Sequence, residues 1–267
     1  MSKETPTMET ATGSPEPVQI LGMPITPYTA DQTLDCLEQM IDERACAYIV
    51  TANLNYAMLC EQDDDLHDVN ERAAFVVADG APLLWWARLI GRRLPERVTG
   101  SDLILAVSER AAKRGYGVYL LGAAPGVADL VATELSTRYP GLRVVGTESP
   151  PFRPLTAEEH DEQIARIRDA SPDIVMAAFK MPDGERWLRD HVDVLGVPLL
   201  LQFGASFDFV AGRVERAPRW MQRLGLEWLH RVMQEPRRLA GRYWSNFTFL
   251  ARAFVTGRFV AERRAAR

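Results

Sequence analysis

The feature that most constrains this chain is an alternation running from about Val18 to Ala205. Short apolar runs, among them AYIVTAN, AFVVAD, YGVYLLG, DIVMAAF and VPLLLQFGA, are separated by longer stretches with apolar residues at helical spacing. These runs are apolar on both sides of the pleat, so each strand needs cover on both faces. A mainly parallel sheet with helices on both faces meets that need, which predicts an α/β, Rossmann-like fold. The spacing predicts a strand over 18–26 and a helix over 30–43, where Leu34, Leu37, Met40 and Ile41 share a face. It predicts one helix over 55–73, another over 82–91, and another over 101–115 with Ser101 as N-cap and Gly115 as C-cap.

The ends read differently. Residues 1–17 are polar, with no apolar leader, and are predicted to be a disordered tail. No apolar run reaches the roughly 18 residues a membrane span needs. Residues 18–212 form the predicted α/β core. From 213 to 267 the chain is a predicted basic helical appendage. Between Ala211 and Arg267 there are 13 arginines and four glutamates, a balance of +9, so the net −5 of the chain leaves −14 elsewhere. Such asymmetry predicts an anionic partner for the C-terminal part. Leu239, Tyr243, Phe247, Leu250 and Phe254 recur at helical spacing there, among Arg237, Arg238, Arg242, Arg252 and Arg258. A basic amphipathic helix on an anionic membrane surface accounts for both the stripe and the charge. A nucleic-acid partner is disfavoured, because the body is acidic and the aromatics follow a helical stripe. The stripe leaves homo-oligomerisation open. Cys36, Cys46 and Cys60 form no CxxC pair and are expected to be free thiols in the cytoplasm.

In parallel sheets, ligands bind beyond the carboxyl ends of the strands. Asp79, between VVA and GAPLLWW, stands at such a junction. It is either a helix cap or a general base at the mouth of the sheet. GAAPGVA at 122–128 lacks the full dinucleotide fingerprint and reads as a structural turn, which argues against a nicotinamide enzyme. QDDDLHD at 62–68 is expected to be a solvated helix face, because Asp63 and Asp65 point to different sides of a helix. No metal site is predicted there or among the scattered histidines, and no cofactor is called for. RVTGSDL sets Arg97 beside a glycine turn, which suits phosphate or carboxylate binding.

TAN at 51–53, ADGAPLLWWARLIGRRLPERVTGSDL at 78–103, LLGAAPGVA at 120–128, and the tail from FGASFDFVAG through RAPRW, EW and EPRR to RYW at 242–244 resemble the WecG/TagA/CpsF family of bacterial glycosyltransferases. The resemblance spans about residues 18–245. It implies an inverting, metal-independent transfer of a hexose-type sugar from a UDP-sugar to a polyprenyl-diphosphate-linked sugar. The setting implied is the cytoplasmic face of the membrane, in exopolysaccharide, capsule or related polymer synthesis. On this resemblance Asp79 is the catalytic base and Arg97 a group that offsets charge on the departing UDP. Thr51, Asn53, Asp208, Arg231, Arg237 and Arg238 are donor-binding residues. Two departures stand on the presumed donor side. FKMPDGERW keeps Pro182, Glu185 and Trp187 but has Gly184 where the family carries a glutamine, and GTESPPF replaces a His-Gly-Tyr-like turn. They point to altered sugar specificity. The alternative is a catalytically inert sugar-nucleotide-binding or scaffolding paralogue.

Overall fold

The computed structural model describes residues 15–265. In chain order the core elements are β1 (Val18–Ile20), β2 (Met23–Ile25), α1 (Ala30–Asp42), β3 (Ala47–Ala52), α2 (Leu54–Gln62), α3 (Asp65–Arg72), β4 (Phe75–Ala78), α4 (Ala81–Leu89), α5 (Gly100–Arg114), β5 (Gly117–Gly122), α6 (Val127–Arg138), β6 (Arg143–Glu148), α7 (Ala157–Ala170), β7 (Ile174–Ala178), α8 (Asp183–Leu195) and β8 (Leu199–Gln202). They build one eight-stranded sheet in the order β1-β2-β4-β3-β8-β7-β5-β6. Every pairing is parallel except that of β1 with β2. This is the α/β, doubly covered sheet that the alternation predicts.

Strand periodicity divides the core in two. Tyr48, Val50, Val76, Ala78, Tyr119 and Leu121 face one layer, with side chains from α2, α3, α4, α7 and α8. Their neighbours Ile49, Phe75, Val77, Val118 and Leu120 face the other, with α1, α5 and α6. The chain lays β3 and β4 on one side of β8 and β5 to β7 on the other. The crevice at the carboxyl ends of β4, β3 and β8 is therefore where connections part to opposite sides of the sheet, the ordinary ligand site of such folds.

Four local expectations are corrected. The single strand over 18–26 is a hairpin, turned at Leu21 and Gly22, which both have positive φ (50° and 80°). The single helix over 55–73 breaks at Asp63, which is extended and takes the Asp65 amide on its own side chain. A short carboxylate competes with the helical ladder in just this way. The aspartates beyond the break are not merely solvated. Arg186 reaches Asp63 and Asp65, and Arg189 reaches Asp65 and Asp68, so the run clamps α3 to α8. The N-cap of α5 is Thr99, whose side chain takes the Asp102 amide, and not Ser101; Gly115 is the left-handed C-cap as predicted. Among the described residues no group of three or more metal-ligating side chains is gathered.

After β8 come α9 (Ser206–Val210), α10 (Arg219–Arg223), α11 (Glu227–Gln234), α12 (Pro236–Val255) and α13 (Arg258–Ala265). The expected stripe on α12 is redrawn. Leu239, Asn246, Phe249 and Ala253 are the buried face, and Phe249 and Ala253 join the core layer that holds α2. Phe247 is turned outward, 62% exposed, beside Trp244 at 68%. The last helix is tied down by polar contacts. Glu262 accepts from the Trp86 indole at 2.8 Å and from the Leu21 amide at 3.3 Å, and Arg258 pairs with Glu61 at 2.8 Å. Among the described residues no helix is long and apolar enough to cross a membrane. The predicted tail lies outside the described residues as far as residue 14.

Candidate active site

β3 and β4 run in register, Thr51 beside Val77 and Ala52 beside Ala78, and the Asp79 amide donates to the Ala52 carbonyl at 2.7 Å. Their ends therefore bring Asn53 and Asp79 to the same edge. Asn53 is spent locally: it is the N-cap of α2, and its side-chain oxygen takes the Tyr56 amide at 3.1 Å. Asp79 is free of that duty. The position before α4 is Gly80, at φ 139°, a conformation closed to residues with a Cβ, and no side chain caps this helix. Gly80 thus turns the chain so that the carboxylate faces the crevice rather than the amides of α4.

The Asp79 carboxylate meets instead the start of α5. Its Oδ2 accepts from the Gly100 amide at 3.4 Å, at the positive end of that helix. Burial is the largest influence on it and raises its pKa to about 6. The Gly100 amide and the Arg97 charge pull the other way, and Glu227 and Asp102 add to the rise. A carboxylate tuned to about 6 is mostly ionised at neutral pH, yet far more basic than an ordinary aspartate.

Beside it lies a chain of alternating charge. Arg97 Nη1 stands 3.4 Å from Glu227 Oε2, and Arg216 Nε stands 3.1 Å from Glu227 Oε1. Arg216 also grips Asp102 with both terminal nitrogens, at 2.6 and 3.0 Å. Asp102 in turn accepts from the Thr99 hydroxyl at 2.7 Å. Burial works to raise the Asp102 pKa, but the hydrogen bonds from Arg216 and Thr99 outweigh it and hold it below the ordinary value. The start of α9 closes the wall, with Ser206 Oγ 3.2 Å from Ser101 Oγ.

The sequence-derived candidates fall into two groups. Thr51, Asn53, Asp79 and Arg97 gather at the ends of β3 and β4. Asp208 sits in the first turn of α9, whose start carries no side-chain cap. Arg231, on α11, lies over the Phe209 ring at 5.1 Å. Burial, with the nearby charges of Arg242 and Arg238, pushes its pKa down. Arg237 and Arg238 open α12 and are exposed, with Arg238 paired to Glu235. Sequence reasoning missed Arg216 and Glu227. Both stand in the tail segments RAPRW and EW, where nothing in the spacing tells that they fold back onto α5.

Gly184 also has a structural explanation. A Cβ at this position would stand 1.7 Å from Gln202 Nε2. The Gln202 side chain is fixed there by bonds to both backbone polar groups of Phe179, at 3.2 and 2.8 Å. The space beside residue 184 is filled by an amide from β8.

The family model for the glycosyl transferase WecG/TagA/CpsF family matches residues 18–263. The chain belongs to that family. An N-acetylglucosaminyldiphosphoundecaprenol N-acetyl-beta-D-mannosaminyltransferase of Bacillus subtilis (strain 168) is 32% identical over 206 residues, 77% of this chain and 78% of that protein. The match to the family model runs through the core and on through α10, α11 and α12 into α13.

Proposed function

We propose that this chain is an inverting glycosyltransferase that moves a hexose-type sugar from a UDP-sugar to a polyprenyl-diphosphate-linked sugar, with Asp79 as the base. The B. subtilis relative, named for transfer to N-acetylglucosaminyldiphosphoundecaprenol, supports an acceptor of this lipid-linked kind. The observation that carries the reading is the Asp79 carboxylate itself. It caps no amide of α4, accepts instead from the first amide of α5, has its pKa raised to about 6, and stands beside Arg97 at the mouth of the sheet.

The acceptor oxygen attacks the anomeric carbon while its proton passes to Asp79. The bond from that carbon to the β-phosphate oxygen breaks, and UDP departs with the electron pair. In this reading Arg97 offsets the charge gathering on the diphosphate; removing such a contact costs about 2–4 kcal/mol of barrier. The donor contacts assigned to Thr51, Asn53, Asp208, Arg231, Arg237 and Arg238 belong to the same reading.

Outward-facing Trp220, Leu224, Trp228, Leu229, Met233, Trp244 and Phe247 accompany exposed Arg237, Arg238 and Arg242. That combination supports a peripheral seat on an anionic membrane surface, at the cytoplasmic face where such acceptors are extended. Polymer synthesis of the exopolysaccharide or capsule type is the context proposed.

The test is UDP release from a panel of UDP-hexoses, with a short polyprenyl-diphosphate sugar carried in anionic vesicles. Wild type is expected to turn over one donor, and Asp79→Asn to lose at least a thousandfold in rate while keeping its affinity for UDP. A variant at wild-type rate removes Asp79 from the mechanism. UDP binding by wild type without release from any pair selects the inert paralogue.

A further inference from the structure

We propose that Glu227 is a stand-in for phosphate, and that Arg97 and Arg216 form a two-armed diphosphate subsite which Glu227 fills until ligand displaces it. The inference rests on the transferase reading and adds to it a second arginine and a displaceable carboxylate from the appendage.

Each Glu227 oxygen faces a different guanidinium, Oε2 toward Arg97 and Oε1 toward Arg216. Two arginines converging on the two oxygens of one anion is the arrangement that phosphate groups demand. The subsite is built rather than incidental. Arg216 is held from behind by both oxygens of Asp102, and Asp102 is held by the cap residue Thr99. The next residue, Gly100, carries the amide that binds Asp79. The distance from anion subsite to catalytic carboxylate is thus fixed by one helix start. The site is also reachable: the side chains of Arg97, Arg216 and Glu227 are 19%, 21% and 18% exposed.

Charge decides the exchange. With Glu227 in place, two arginines stand among three carboxylates, Asp79, Asp102 and Glu227. A diphosphate entering beside them would add its charge to a site already negative. If Glu227 rotates away, the phosphates take over its two partners and that repulsion falls. Rotation about its own side-chain bonds suffices. Glu227 is the first residue of α11, a helix without a side-chain cap, so the released carboxylate stays beside a positive helix end. A carboxylate kept only for packing or ion pairing would have no reason to compete with a ligand. One that holds the ligand's place must.

The diphosphate comes either from the nucleotide donor or from the lipid-linked acceptor, and the experiment separates the two. Affinities of wild type, Glu227→Gln and Glu227→Ala are measured by calorimetry for UDP, for a short-chain polyprenyl diphosphate and for inorganic pyrophosphate. Thermal unfolding of each variant is recorded alongside. The expected result is at least fivefold tighter binding of UDP by both variants. Tightening toward the polyprenyl diphosphate alone assigns the subsite to the acceptor and upholds the stand-in. Unchanged or weaker binding of all three probes by a folded variant overturns it. If wild type binds neither UDP nor the lipid diphosphate, the transferase reading fails by itself. Tighter pyrophosphate binding by the variants would still uphold the subsite.

Discussion

Replacing Asp79 by asparagine should make this protein inactive and more stable at once, with the gain dependent on pH. The carboxyl rises from an ordinary 3.8 to about 6 in the fold, first because it is buried. A raised carboxyl means that the folded state prefers the protonated form. Below about pH 4 both folded and unfolded chains carry the proton, and ionisation costs the fold nothing. Between about pH 4 and 6 the unfolded chain ionises more readily, and stability falls. Above 6 the penalty is complete. At about 1.4 kcal/mol per pH unit it reaches at most about 3 kcal/mol. Asparagine has nearly the same shape, keeps an acceptor for the Gly100 amide and carries no charge. The variant should therefore gain up to about 3 kcal/mol at pH 8 and nothing at pH 4. For a chain of this size that is a rise in Tm of up to about 6 °C at the higher pH. Paired thermal melts at the two pH values are the assay. No gain at pH 8, or an equal gain at both, refutes the argument that Asp79 is strained by burial for the sake of its basicity. The same value fixes the activity profile of wild type. Its kcat/KM should climb about tenfold per pH unit up to about 6 and level above it.

Two further substitutions test neighbouring features. Glu185 is fully enclosed, its Oε2 has no hydrogen-bond partner, and burial raises its pKa from 4.5 to about 7. Glu185→Gln should be nearly neutral at pH 4.5 and stabilising by up to about 3 kcal/mol at pH 8, read by denaturant unfolding at both; an equal effect at both pH values rejects this. Gly184→Gln, which restores the family's glutamine, should destabilise by about 1–3 kcal/mol because it collides with the Gln202 amide. The double change Gly184→Gln with Gln202→Ala should recover part of that loss in a thermal melt. No loss in the single variant would mean that the two side chains do not compete for the space.

The fold was legible because its signals are local. Apolar runs such as FVVA and YLLG, with residues buried on both sides of the pleat, call for a doubly covered parallel sheet wherever they pair. Thr99 offers the same hydroxyl two residues before Ser101, and hydrogen bonding of the Asp102 amide decides between them. The Leu21-Gly22 hairpin leaves little trace in the sequence, because a two-residue turn hardly interrupts an apolar stretch.

Residue types and spacing placed Asp79 at a strand end and Arg97 beside a turn, and the family resemblance suggested their roles. The sequence by itself determined an α/β sheet with a basic helical end and a carboxylate at its mouth, since hydrophobic period and charge are written residue by residue. Only the tertiary structure decided what that carboxylate faces. The Gly100 amide lies 21 positions away, and Glu227 lies 130 positions from Arg97. Contacts across such separations depend on how the sheet and appendage close together, and no periodicity along the chain encodes them. The pKa of Asp79, the pairing of Arg216 with Asp102, and the competition between Gly184 and Gln202 all arise at that level, because burial and electrostatics are properties of neighbours in space.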